Sequence, residues 1–208
     1  MVQPGTFNPY PVELTVDYQD AGRNRLTVGF RIFTALPIVI VLALLGAGLN
    51  SGNGWSFGAG GVIFLPTLLV LLFRRKYPAW WFDFNLNVVR FGNRVFAYLL
   101  LLRDEYPSTD EEQAVHVNLP DPHGGSALNR WLPLVKWFLA IPHYIVLFFL
   151  YIAVIVLSLI GWFVVLFTGR YPRSFHDFVV GIMRWSLRVQ AYAFVLVTDQ
   201  YPPFRLRP

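Results

Sequence analysis

The chain has 208 residues, 55% of them hydrophobic and only 14% charged, with a mean hydropathy of +0.48, a balance that excludes an ordinary water-soluble domain. The absence of cysteine excludes a disulfide framework, a thiolate metal site and a thiol nucleophile. The 17 basic and 12 acidic residues leave a net charge of +5, but the basic residues flank apolar blocks, so the charge is read as setting membrane topology and no nucleic acid is expected as a partner.

Residues 1–20 lack a basic region followed by an apolar core, so they do not read as a secretory signal. Within them, Val12-Glu13-Leu14-Thr15-Val16 alternates and predicts a strand. The 42 residues from Ile32 to Phe73 carry no charge, which suffices for two membrane crossings of about 20 residues each. The polar break Asn50-Ser51-Gly52-Asn53-Gly54 divides them into predicted helices over 31–49 and 55–73. Trp81, Phe84, Val88, Phe91 and Val95 then step by three and four along one face of an amphipathic helix, whose polar positions are Asp83, Asn87, Arg90 and Arg94. Residues 95–102, rich in β-branched and aromatic side chains, predict a strand, and Val115 to Leu119 alternates as a further one between two loops.

The second uncharged run, Trp137 to Gly169, has 33 residues. It accommodates two crossings only if Trp131 to Lys136 joins the third helix, with Lys136 snorkelling to the headgroups. Pro142 is expected to kink that helix, and the division between third and fourth helices falls between Leu150 and Ser158; a re-entrant hairpin is the competing reading. Phe175, Phe178, Ile182, Trp185 and Val189 then form a second amphipathic face, with Asp177, Gly181, Arg184 and Arg188 at its polar positions, and residues 189–197 predict a last strand.

The chain repeats itself. Asn24-Arg25 and Ala35-Leu36-Pro37 reappear 105 positions later as Asn129-Arg130 and Ala140-Ile141-Pro142, and Tyr77-Pro78, Asp83, Arg90 and Arg94 reappear 94 positions later as Tyr171-Pro172, Asp177, Arg184 and Arg188. The expected fold is therefore a membrane α+β protein with four transmembrane helices in two tandem hairpin units. Each unit adds an interfacial amphipathic helix and juxtamembrane strands that pair into a small cytosolic sheet. The first unit covers residues 1–107, a linker with the short strand 115–119 covers 108–128, and the second unit covers 129–208. Basic flanks (Arg23, Arg25 and Arg31; Arg74, Arg75 and Lys76; Arg130 and Lys136; Arg170 and Arg173) all fall at the open ends of the hairpins, which places both termini and the central segment in the cytoplasm.

The segments Asn129-Arg130-Trp131-Leu132-Pro133-Leu134-Val135-Lys136-Trp137, Ile141-Pro142-His143-Tyr144, Phe167-Thr168-Gly169-Arg170-Tyr171-Pro172-Arg173, Asp177-Phe178-Val179-Val180-Gly181 and Tyr201-Pro202-Pro203-Phe204 closely resemble the bacterial membrane family numbered 4389 among domains of unknown function. The resemblance is specific over 129–204 and fainter over 10–107, where Ile38 stands in the place of His143. It implies a multi-pass protein of the bacterial inner membrane and supplies no catalytic residue.

The candidate sites follow from charge placed beside or inside the apolar blocks. Arg90, Arg94, Arg184 and Arg188 either hold anionic lipid headgroups or pair reciprocally, Asp83 with Arg188 and Asp177 with Arg94, locking the units together; the reciprocal pairing is the favoured reading. Arg74, Arg75, Lys76, Arg170 and Arg173 are the membrane-flanking cations. His143 is the candidate intramembrane polar site, with a simple hydrogen bond to a neighbouring helix as its plainer role. The four histidines share no ligand spacing, so no metal and no cofactor is expected. No nucleophile elbow is present, and the chain is read as non-enzymatic: an accessory or scaffold subunit that docks on a membrane complex or organises anionic lipid. Its expected partners are membrane lipids and another membrane protein or a second copy. The alternative is a small oligomeric transporter or channel with a pathway near His143.

Overall fold

The computed structural model describes residues 10–20, 23–47, 59–109, 111–126 and 128–207. In chain order they form strand β1 (Glu13–Val16), the short helix α1 (Arg25–Gly29), α2 (Arg31–Ala47), α3 (Ala59–Arg74), α4 (Ala79–Leu99), β2 (Val115–Asn118), a 3-10 turn (His123–Gly125), α5 (Pro133–Leu139), α6 (Ile141–Thr168), α7 (Arg173–Gln190) and a π-helical turn (Ala191–Val195).

β1 and β2 pair antiparallel with Leu14 opposite Val117, and their alternation buries Leu14, Val16, Val115 and Val117 while Glu13, Thr15, His116 and Asn118 face out. Each inward side chain contributes about 2 kcal/mol by leaving water. α7 packs on β1 and α4 on β2, so each amphipathic helix lies against one strand of the ribbon. The sheet has two strands where four were expected. Residues 95–99 continue α4 and residues 191–195 form the π turn, because Val95, Tyr98, Tyr192 and Val195 lie on the buried face of a helix already running, and packing overrides their propensity. Both runs end at a leucine in the left-handed region, Leu101 at φ 64° and Leu196 at φ 60°.

The first apolar block breaks into α2 and α3, as expected, and the Asn50–Gly54 break lies outside the described residues. The second block does not break. α6 runs unbroken for 28 residues, about 42 Å, and neither the hairpin expected between Leu150 and Ser158 nor a re-entrant turn is formed. Nothing between those positions ends a helix, whereas Gly169 at φ 71° caps it. The expected kink at Pro142 is present as the step from α5 to α6 at Ala140. Four transmembrane helices are thus corrected: among the described residues, α6 alone is long and apolar enough to cross a membrane, with a mean hydropathy of 2.8. It is no core helix, since only 17% of its most apolar window is buried.

A single stripe of α6 touches the rest of the molecule. His143, Leu147, Val154, Gly161 and Val165 are its buried residues, and they run from the first turn to the last. At Gly161 the approach is so close that a Cβ would lie 2.5 Å from the Tyr171 ring. Farther along, the Trp162 indole donates to the Val28 carbonyl of α1 at 3.1 Å.

Candidate functional site

The arginines of α4 and α7 do not form the reciprocal pairs expected of them. Asp83 is exposed, and Asp177 lies 3.2 Å from its neighbour His176. The guanidiniums instead hold backbone carbonyls, which sequence patterning cannot reveal. Arg184 Nε donates to Leu14 O at 2.9 Å and Arg90 Nε reaches Val117 O at 3.4 Å, so the two cations clamp the two residues that face each other across the ribbon. One turn further, Arg188 donates to Arg205 O at 3.3 Å and Arg207 O at 3.1 Å, while Arg94 donates to Ser108 O at 2.8 Å. Arg188 is only 2% exposed. Burial, reinforced by Arg205 and Arg184, lowers its pKa to about 10, against the opposing pull of Tyr10 and Glu13.

A second pair of cations escaped the sequence reading. Lys136 does not snorkel: it is fully buried, 2.6 Å from Asp199, donating to Thr198 O at 2.8 Å beside the Tyr192 ring. Burial pushes its ammonium below the usual lysine range and the Asp199 hydrogen bond opposes that. Arg31, 105 positions earlier, lies 2.5 Å from Asp104, donates to Tyr98 O at 3.0 Å and stacks on the Tyr98 ring. Arg23 joins this group, 3.8 Å from Asp104 and bonded to the carbonyls of Leu101 and Leu102. The signal was available, because Asp104 and Asp199 each follow within two residues of a run that predicted a strand, 95–102 and 189–197, and each precedes a Tyr-Pro pair, Tyr106-Pro107 and Tyr201-Pro202. Reading 95–102 and 189–197 as strands hid it.

His143 is sealed in protein. It is fully buried, accepts a hydrogen bond at Nδ1 from the Trp185 indole at 3.1 Å, and stacks on Phe204 with ring centroids 3.9 Å apart. Its plainer role, fastening α6 to α7 and the tail, is the one the geometry supplies. Arg74, Arg75, Lys76, Arg170 and Arg173 are all exposed, and Arg173 lies over the Tyr18 ring at 5.3 Å.

A cleft of about 500 Å³ lies between α4 and the ribbon, lined by Asn87, Arg90, Arg94, Glu13, Glu112 and His116 among others. The corresponding face of α7, bounded by Gly181, Arg184 and Arg188, is filled by the C-terminal segment. There Leu206 O accepts from Arg184 at 3.0 Å, and a Cβ on Gly181 would lie 3.0 Å from the Leu206 Cβ.

With this geometry in view, the comparison with known families is specific. Residues 131–205 match the family described as a domain of unknown function, DUF4389. The DUF4389 segment therefore takes in α5, α6, α7, the buried Lys136 pair and the tail as far as Arg205, and β1 through β2 lie outside it. No curated protein and no solved structure matches the chain.

Proposed function

We propose that this chain is a non-enzymatic, membrane-embedded scaffold subunit whose apolar helices bed in the bilayer and whose ribbon, clamped by arginines, presents a rigid polar face to a partner. The observation that carries the reading is the exposure of α6. Phe148, Phe149, Ile155, Leu159, Phe163 and Phe167 all face outward, and water does not tolerate so large an apolar surface on a folded chain. The buried and half-buried cations contribute to the scaffold by holding carbonyls and carboxylates of their own chain, which stiffens the polar face.

The placement in the membrane that fits this geometry is in-plane. α6 is covered along one stripe from end to end, and α7, which covers it, carries β1 and the C-terminal segment on its other side. Standing α6 across the bilayer would carry Arg184 and Arg188 to hydrocarbon depth, a costly position for a cation. Lying along the surface, α6 sinks its exposed faces among acyl chains while Arg74, Arg75, Lys76, Arg170 and Arg173 draw anionic headgroups. This replaces the multi-pass arrangement with both termini on the cytoplasmic side.

Because the chain has no cysteine, single reporters are clean. Gln200→Cys lies beside the first turn of α6 and Arg170→Cys beyond its last. In sealed membrane vesicles, an impermeant maleimide is expected to label both or neither. Labelling of one alone overturns the in-plane placement. The scaffold reading predicts that gentle detergent extraction yields a complex larger than the 23.9 kDa chain in its micelle; a lone monodisperse chain overturns it.

A further inference from the structure

The filled and the open groove are built from the same parts. On α7, Arg184 and Arg188 hold three successive carbonyls, those of Arg205, Leu206 and Arg207. On α4, Arg90 and Arg94 stand 94 positions earlier against the partner strand, but after the Ser108 carbonyl the chain departs toward β2. Among the described residues, Arg94 holds one carbonyl where Arg188 holds two, and Arg90 holds one, Val117 O at 3.4 Å through Nε, where Arg184 holds two. The donors that fix a segment on α7 are thus present and underused on α4.

We propose that the α4 cleft is a docking groove for an extended, basic segment of a partner polypeptide, held through its main-chain carbonyls by Arg90 and Arg94 as residues 205–207 are held on α7. The proposal rests on the scaffold reading only in assigning the segment to a partner. Charge sets the preference: Arg90 and Arg94 balance the two acids of the lining but are turned to carbonyls, as Arg184 and Arg188 are beneath the Arg205-Leu206-Arg207 run, which leaves the exposed Glu13 and Glu112 to meet arginines or lysines of the segment. Size sets the centre of the motif. Asn87 replaces Gly181, and a Cβ there already crowds a leucine at 3.0 Å, so the central residue of the incoming segment is small.

The test uses the full chain in detergent and a synthetic peptide of residues 201–208 carrying Leu206→Ala. Saturable binding in the micromolar range is expected, weakened about tenfold by Arg90→Gln or Arg94→Gln, the loss of one charged hydrogen bond. Glu112→Lys, at an exposed position that folding does not require, is expected to reverse the preference between this peptide and its Arg205→Glu, Arg207→Glu counterpart. Absence of saturable binding at millimolar peptide, a preference that Glu112→Lys leaves unchanged, or competition by inorganic phosphate in place of peptide overturns the groove. Peptide binding by a chain that is extracted alone overturns only the scaffold reading, and a partner complex without peptide binding overturns only the groove.

Discussion

The two halves of the molecule solve one problem with different economy. Where the first half spends α2 and α3 on its apolar block, the second spends the single helix α6. Both begin that block with a buried cation held by a carboxylate and a tyrosine ring. In the first half Asp104 has two cations, Arg31 and Arg23; in the second Asp199 has Lys136 alone. Asp199 adds one backbone bond, the Asn129 N–H at 2.6 Å, but no second cation, which teaches that the ion pairing of the second half is the less redundant, although its groove is the better filled.

That contrast is open to direct attack. Lys136→Met leaves Asp199 with the Asn129 N–H alone and is expected to cost about 2 kcal/mol. Arg31→Met leaves Arg23 in place and should cost about half as much by the same reasoning; the unfolding midpoints in denaturant compare them. Equal losses would break the contrast.

Of similar size is Gly161→Ala. The new methyl meets a Tyr171 ring that is only 1% exposed, and overpacking there is expected to cost about 2 kcal/mol despite the helix propensity gained. Gly29→Ala, with 4.0 Å to the nearest side chain, is the control and should not destabilise.

Gly181→Asn makes the second groove resemble the first. Displacing Leu206 is expected to cost about 1 kcal/mol and to speed deuterium exchange over residues 203–207 while leaving α6 protected. Unchanged exchange in the tail would mean that the glycine does not seat it.

The smallest effect is a pH dependence. His176 has its pKa lowered from 6.5, chiefly by burial, with Arg23 and Arg173 adding repulsion and Asp177 opposing. The unfolded chain therefore binds this proton more readily than the folded one, so stability falls as pH drops below 6.5 and levels out below the folded pKa. His176→Gln should flatten that slope in unfolding measurements at successive pH values.

Much of this architecture was legible in the residues. The alternating strands, the two amphipathic helices and the break at Pro142 all follow from local periodicity, which short windows carry faithfully. Undivided α6 was missed because length alone argued for two crossings, and the chain between Leu150 and Ser158 has no turn residue to enforce them. The arginine roles were missed for a different reason. A guanidinium that binds carbonyls has no partner residue type to search for, so Arg90 and Arg184 look identical in sequence whether they face lipid, acid or backbone. Lys136 was misread because its neighbours looked like a membrane boundary, and only the fold brings Asp199 to it.

The ribbon has a consequence for biogenesis. Val16 meets Val115, and Glu13 meets Asn118, so β1 leaves the ribosome about a hundred residues before its mate. In that interval α2 and α3 are already synthesised and ready for lipid. If those helices bed in the bilayer as proposed, the nascent chain settles there with one edge strand still bare, which makes the arrival of β2 the step at which aggregation and productive folding compete.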